Sequence, residues 1–209
     1  MPDDMAARLE RLEAVEQIRQ LACRYALALD MRDFDALVNL FVDDVGVPGG
    51  QRGRPALKHW YAETMRSVPG SFHGVGGHVI DVESTSTGRG VVYSRNDLDL
   101  GEHWMLELML YLDQYERRGD RWLFARRTPL YWVHTDPGVA PLGDAKLRRP
   151  GGARATRGAF HDAFPSFATF MAQAGDVEVP VAQAAELDRF IETLRRGAPT
   201  PRVDPTGRM

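Results

Sequence analysis

Two residues of this chain, Asp30 and His73, have side chains that together could move a proton. Asp30 ends an amphipathic run, and His73 lies in a glycine-rich segment just before a strand-like run. A carboxylate beside an imidazole fixes its tautomer and stabilises its protonated form, which makes a general base that works near neutral pH. His78, five residues further on, is the alternative imidazole. This chemistry requires distant segments of the chain to meet.

The first third of the chain is predicted to form three helices. Residues 5–29 place apolar side chains near a helical period, with charged side chains between them. Residues 33–42 suit a second helix with Asp33 as its N-cap, and residues 54–65 suit a third, opened by Pro55. Asp30 then stands at a helix C-terminus, where the helix dipole disfavours negative charge, so a plain turn-forming role is its alternative reading.

The period then changes to that of strands. Four strands are predicted, over residues 78–83, 89–100, 103–117 and 121–134, with turns between them. Helices followed by antiparallel strands predict an α+β fold. The third strand would carry an apolar face from Trp104 to Leu112, suited to a dry core or a subunit partner. Its mixed opposite face, from His103 to Tyr115, suits a cavity that holds a ligand.

The chain after residue 136 differs in composition. Residues 143–158 are rich in Gly, Arg and Pro and are predicted to form a loop. Phenylalanines from Phe160 to Phe170 then recur at helical spacing, interrupted by Pro165, and residues 181–194 suit a last helix before a loose tail. We therefore divide the chain into a domain of residues 1–136 and a C-terminal extension of residues 137–209. The extension could cover the apolar face of the third strand or close over the pocket.

The composition is that of an ordinary globular protein. The 209 residues are 44% hydrophobic and 26% charged, with a net charge of −3, which gives no bias toward nucleic acid or membrane. Cys23 is the single cysteine, so neither an internal disulfide nor a cysteine zinc site is expected, and its place in a helical pattern predicts a packed thiol. We find no metal spacing, nucleotide fingerprint or nucleophile elbow, and no secretion signal or membrane span. The expectation is a cytoplasmic protein without a cofactor.

Several segments of the chain, taken in their sequence order, resemble those of a known protein family. Residues 12–21 and 24–30 resemble the first helix, residues 41–44 the end of the second helix, and residues 113–124 the closing hairpin of the SnoaL-like branch of the nuclear transport factor 2-like superfamily. The resemblance covers about residues 8–136. It implies a cone-shaped α+β barrel, in which N-terminal helices wrap a curved antiparallel sheet around an apolar pocket, with the C-terminal helical extension lying outside the resemblance.

The resemblance also implies a reaction. The most similar subset is the dehydratase and dehydrochlorinase group, in which an Asp at the end of the first helix orients a His before the first long strand. Asp30 and His73 stand at those positions, and Tyr25 stands where a substrate-binding Tyr occurs. The implied protein is a cofactor-independent lyase or isomerase that acts on a small hydrophobic, cyclic substrate, with His73 as general base and Asp30 as its orienting partner.

The chain departs from the pattern of that group in several places. A second His on the next strand is missing, and Tyr111 replaces a third-strand Asn. A non-catalytic small-molecule-binding protein and a polyketide cyclase are therefore the alternatives. Related folds form dimers or trimers through the sheet, so a homo-oligomer is expected. The candidates for hydrogen bonds to a developing oxyanion are Tyr93, Asn96, Tyr111 and Tyr131.

Overall fold

The computed structural model describes residues 2–140, 142–143, 145, 161, 164–172 and 191. Three helices open the described chain: α1 (Pro2–Asp30), α2 (Phe34–Val38) and α3 (Arg54–Met65). Four strands follow in one antiparallel sheet, in the order β1 (Gly70–Val82), β2 (Thr87–Asp99), β3 (Trp104–Arg118) and β4 (Arg121–Thr135). A further helix, α4, spans Pro165–Ala172. The α+β prediction is confirmed, with a curved open sheet and N-terminal helices that agree with a cone-shaped fold.

Helix α1 is held to the sheet by one apolar stripe. Its buried residues recur at helical spacing and include Ile18, Leu21, Ala22, Tyr25 and Leu29. Cys23 falls off this stripe and is exposed, so the prediction of a packed thiol is wrong. The stripe carries Tyr25 into the interior and leaves Asp30 at the last turn of the helix.

The predicted second helix ends earlier than expected. The Asp33 side chain accepts a hydrogen bond from Ala36 N at 2.9 Å, which confirms the N-cap. The helix nevertheless stops at Val38, because the chain from Leu40 onward hydrogen-bonds to β4 instead. Leu40 O accepts from Phe124 N, and Phe41 forms a parallel bridge with Phe124. The apolar residues after Val38 are thus buried against β4 and not on a helix face.

Strand β1 begins well before the predicted strand, at Gly70 instead of residue 78. His73 therefore lies within a strand, paired with Asn96 of β2, and not in a loop before it. A β-bulge between Val75 and His78 interrupts the pairing. The glycines there, residues 76 and 77, hid the strand in the sequence because glycine is depleted in strands.

The two faces of the sheet have different coverings. The inner face packs on the helices around Tyr25, Tyr111 and Phe124. The outer face forms a second cluster of Val91, Leu110, Leu112 and Leu130, to which Ile191 and Phe164 of the C-terminal extension add. At those two residues the extension covers the outer face. This is one of the two predicted alternatives, the other being that the extension closes over the pocket.

Helix α4 begins at Pro165, a position where proline is well tolerated, so this residue starts a helix and does not interrupt one. Phe160 and most of residues 181–194 lie outside the described residues. Within the described part of the chain, no helix is both long and apolar enough to cross a bilayer.

Candidate active site

Asp30 and His73 meet on the inner face of the sheet. His73 Nδ1 lies 2.6 Å from Asp30 Oδ1, and His73 N donates to Asp30 Oδ2 at 2.8 Å. The Asp30 side chain is 11% exposed and the His73 side chain is 7% exposed. Because the carboxylate binds Nδ1, that nitrogen carries the proton in the neutral imidazole, and Nε2 is left with its lone pair. This is the tautomer that a general base needs.

A second group of contacts fixes Asp30 through Ser71 of β1 and through Arg32, which follows α1. Ser71 Oγ donates to Asp30 Oδ1 at 2.8 Å, and Arg32 Nη1 donates to Ser71 Oγ at 2.8 Å. The Arg32 guanidinium also donates to the carbonyls of Leu29 and Val68, at 2.7 and 2.8 Å. Arg32 thereby places a cation on the carbonyl end of α1 and ties that end to β1, which offsets the unfavourable position of Asp30.

Arg32 adopts a backbone conformation that favours glycine. Its φ of +58° lies in the left-handed region, where a side chain costs about 1 kcal/mol. Asp33 N donates to Ala28 O at 2.9 Å, closing the helix as a Schellman-type cap. An arginine at this position is compensated by the four acceptors that its guanidinium reaches.

The carboxyl group of Asp30 stays ionised in this setting. Burial alone would raise the pKa of Asp30, but the hydrogen bonds from the His73 side chain, the His73 backbone and Ser71 together hold this pKa below its ordinary value. A persistent carboxylate can stabilise the imidazolium that forms when His73 takes a proton.

His78, the alternative imidazole, has a different environment. The bulge in β1 adds one residue between His73 and His78, so both face inward despite their odd spacing. His78 Nε2 lies 3.0 Å from Tyr115 Oη, and burial lowers the pKa of His78 to about 4. A His that stays neutral, with a phenol as its hydrogen-bond partner, is not the imidazole that Asp30 orients.

Four of the predicted substrate-binding residues face the same side of the sheet as His73. Asn96 is the cross-strand partner of His73 and is buried. Tyr25 is buried on α1, with its Oη 3.1 Å from Tyr61 Oη, and Tyr111 packs edge-on against it with ring centroids 5.9 Å apart. Tyr131 pairs with Met109 and is partly buried against the same core.

The structure does not bring Tyr93 to this face. Tyr93 lies between Val92 and Ser94, which are both buried inward, and strand alternation turns its ring to the outer face, where the residue is 50% exposed. The Tyr93 hydroxyl therefore does not lie beside His73, contrary to the prediction of a hydrogen-bond donor there.

A buried ion pair that no sequence pattern indicated lies further along the inner face. Arg127 donates to both oxygens of Asp113, at 2.9 and 2.8 Å, with side chains that are 4% and 0% exposed. The guanidinium carbon lies 4.1 to 4.4 Å from three ring centroids, those of Tyr25, Tyr111 and Phe124.

Charge on this second pair is fixed. Burial disfavours the guanidinium, but Asp113 and the surrounding phenols raise the pKa of Arg127 above its ordinary value. For the phenols, burial disfavours the charged form and so raises the pKa values of Tyr25, Tyr61 and Tyr111. Their hydroxyls therefore stay protonated and can donate hydrogen bonds.

Comparison with known proteins shows the family. Residues 10–128 match the family model described as a SnoaL-like domain, and the chain belongs to this family. An uncharacterised protein of Mycobacterium tuberculosis is 27% identical over 118 residues, which cover 53% of this chain and 80% of the relative. An uncharacterised protein of Mycobacterium bovis matches equally well.

Solved structures share the fold. A putative scytalone dehydratase from Novosphingobium aromaticivorans superposes with a TM-score of 0.56 at 23% identity, over 67% of this chain and 94% of that one. A hexachlorocyclohexane dehydrochlorinase from Novosphingobium barchaimii gives 0.57 at 20% identity, over 65% and 99%. A nuclear transport factor 2-like protein with a cystatin-like fold, from Novosphingobium aromaticivorans, gives 0.53 at 26% identity, over 66% and 92%.

Proposed function

We propose that this protein is a cofactor-independent lyase or isomerase that acts on a small hydrophobic, cyclic substrate. His73 removes a proton from carbon, and Asp30 holds the imidazole in the required tautomer and stabilises its protonated form. The observation that carries the proposal is the 2.6 Å contact between His73 Nδ1 and Asp30 Oδ1, in a nearly buried position.

The surroundings of the pair support carbon-acid chemistry. Aromatic and apolar side chains line the inner face, and a partly dry site strengthens the interaction between an imidazolium and a developing anion. The protonated phenols of Tyr25 and Tyr111 are the candidate hydrogen-bond donors. Asn96, whose amide nitrogen donates to Glu107 and Met109, and Tyr131 complete the set of candidate substrate contacts. The structural neighbours include a putative scytalone dehydratase and a hexachlorocyclohexane dehydrochlorinase, whose names agree with this class of reaction.

Turnover of a panel of cyclic β-hydroxy ketones and cyclic alkyl chlorides tests the proposal. We expect His73→Ala and Asp30→Asn each to lower the rate by about 10²- to 10⁴-fold, the usual contribution of a positioned base. His59→Ala is the matched control, since His59 lies exposed on α3, and it should keep the wild-type rate. Undiminished turnover by His73→Ala would overturn the mechanism and favour the alternatives of a binding protein or a cyclase with other catalytic groups.

Two further proposals concern the domain organisation and the oligomeric state. We propose that residues 1–136 form the SnoaL-like unit and residues 137–209 an extension attached to its outer face. We also propose a dimer or trimer whose interface includes Trp104, an outer-face residue that is 51% exposed. Light scattering of the full chain measures the oligomeric state directly.

A further inference from the structure

A row of polar residues crosses the whole inner face, one from each strand. His73 of β1 pairs with Asn96 of β2, Asn96 pairs with Glu107 of β3, and Glu107 pairs with His134 of β4. Directly paired residues point to the same face of a sheet. The row therefore continues from the proposed base across all four strands and ends in a second carboxylate beside a second imidazole.

The far end of the row is buried and engaged on both sides. Asn96, Glu107 and His134 are all buried, and the Glu107 side chain is 9% exposed. Asn96 Nδ2 donates to Glu107 Oε2 at 3.0 Å, and His134 Nε2 lies 3.2 Å from Glu107 Oε1. One oxygen of the carboxyl group thus faces Asn96 and the other faces His134.

Neighbouring side chains hold this arrangement in place. Ser94 Oγ donates to Asn96 Oδ1 at 2.6 Å, which turns the amide nitrogen of Asn96 toward Glu107. The Tyr131 ring stacks on His134 with centroids 4.8 Å apart and 23° between the planes. Glu107 is therefore held between the Asn96 amide on one side and the His134 ring on the other.

A carboxyl group and an imidazole in a buried position favour a state in which the two hold one acidic proton between them. An unpaired buried charge is costly, whereas an imidazolium with a carboxylate, or an imidazole with a carboxylic acid, has no net charge. Such a pair stores a proton inside a site where the first pair is proposed to remove one.

We propose that Glu107 is a second catalytic residue, which donates the proton of the Glu107–His134 pair to a leaving hydroxyl group, so that the substrate is an alcohol that loses water. This inference rests on the proposed function, with His73 as the base. Two strand spacings, about 10 Å of backbone separation, lie between His73 and Glu107, a distance comparable with the width of a ring substrate that would contact both.

The reaction balances without any other reactant. His73 Nε2 takes a proton from the carbon next to a carbonyl or other acidifying group, and the electron pair of that C–H bond becomes the new C=C bond. The adjacent C–O bond breaks, and its oxygen takes the proton from the Glu107–His134 pair and leaves as water. His73 then releases its proton to solvent, and the pair takes one back.

The proposal narrows the substrate class. Hydroxide is a poor leaving group that must be protonated as it departs, whereas chloride and acetate depart as stable anions. A proton donor opposite the base therefore selects dehydration over loss of halide. The chemistry that fits is a cyclic alcohol whose hydroxyl group is β to a carbonyl.

Nuclear magnetic resonance tests the stored proton without any substrate. In protein labelled with ¹⁵N-histidine and ¹³C-glutamate at pH 7, the expected result is a protonated Glu107–His134 pair with no net charge. Glu107→Gln should move the His134 ring signals and leave those of His59 unchanged. A Glu107 carboxylate beside a neutral His134 would overturn the proposal, because the pair would then have no proton to give.

A matched pair of substrates tests the role in catalysis. With 3-hydroxycyclohexanone and 3-acetoxycyclohexanone as probes, Glu107→Gln should lower the elimination of water by about 10²-fold or more and the elimination of acetate by less than about tenfold. Equal losses on both probes, or no loss on either, would overturn the acid role. His73→Ala should lower both rates, so a failure of the base mechanism shows as a different pattern. His134→Gln provides a second variant if Glu107→Gln does not fold.

Discussion

Asp30–His73 and Asp113–Arg127, both on the inner face, differ in whether the charge of the basic partner can change. Asp30 lies beside His73 on the edge strand β1, and Asp113 lies beside Arg127 between the paired strands β3 and β4. Arg127 cannot lose its proton under ordinary conditions, whereas an imidazole gains and loses one near neutral pH. The Arg127 pair is thus a fixed part of the core, and the His73 pair is the one suited to chemistry.

Their surroundings follow the same division. Three aromatic rings enclose the Arg127 guanidinium, and Tyr115 donates a further hydrogen bond to Asp113 Oδ2 at 3.0 Å. The Asp30 carboxylate accepts hydrogen bonds from Ser71 Oγ, His73 N and His73 Nδ1. None of them uses His73 Nε2, the nitrogen proposed to take the proton. Two carboxylates in one core, each beside a basic side chain, can therefore serve stability and catalysis separately.

The largest expected effect falls on the fixed pair. Arg127→Met leaves Asp113 as an unpaired buried carboxylate, which should lower the free energy of unfolding by about 3–5 kcal/mol. Urea denaturation of wild type and Arg127→Met measures this difference in the free energy of unfolding. The double variant Arg127→Met with Asp113→Leu should recover much of the loss, and a single variant as stable as wild type would show that the pair is not a core element.

The second effect concerns His78, whose pKa of about 4 lies below the unfolded value of about 6.5. Between these pH values the unfolded chain binds the proton and the folded protein does not. The free energy of unfolding should therefore fall by up to about 1.4 kcal/mol for each pH unit as pH decreases through this window.

His78→Gln removes this titration and retains a hydrogen-bonding partner for Tyr115. Denaturation of wild type and His78→Gln at several pH values between 4 and 7 checks the difference in slope. Parallel curves would mean that the pKa of His78 is not lowered in the folded protein.

A smaller effect is expected at Arg32, which connects the end of α1 to the His73 pair. Arg32→Ala loses the bonds to Ser71 and to the helix carbonyls and should cost about 1–2 kcal/mol of stability. Arg32→Gly should be more stable than Arg32→Ala by about 1 kcal/mol, because glycine adopts the positive φ without strain.

Activity should separate these two Arg32 variants from a purely structural effect. Both lack the contact that positions Ser71 on Asp30, so both should lose a similar fraction of kcat despite their different stabilities. A glycine variant with full kcat would limit Arg32 to the helix cap.

The smallest effect concerns Asp30, whose pKa in the folded protein is below the unfolded value of about 3.9. A lowered carboxyl pKa stabilises the folded state above the unfolded pKa, and this contribution is lost as pH falls through the folded pKa. Asp30→Asn should therefore show a shallower loss of stability between pH 5 and pH 2. An unchanged acid limb would contradict the hydrogen-bonded carboxylate.

Sequence patterns placed the helices and four strands, because apolar periodicity and turn residues are local signals. The Asp30–His73 contact was expected only through the family resemblance. The strand containing His73 was shortened in the prediction because Gly74, Gly76 and Gly77 do not resemble strand residues.

The pairs across β3 and β4 could not be predicted, because two bulges change the register. A regular hairpin from Arg118 and Arg121 would place Asp113 opposite Arg126. A register shift between Gln114 and Tyr115 moves the partner to Arg127. A second shift between Leu108 and Met109 brings His134 opposite Glu107. Each bulge moves every later residue to a new partner, and no short-range signal marks it.

The central claim, that His73 takes a proton from carbon, is tested most directly by deuterium exchange. A panel of cyclic ketones in D₂O is incubated with wild type, His73→Ala and the exposed control His59→Ala, and deuterium at the carbon beside the carbonyl is measured by mass spectrometry. We predict exchange well above background for wild type and His59→Ala, and a rate about 10²- to 10⁴-fold lower for His73→Ala. Equal exchange by wild type and His73→Ala would contradict the account.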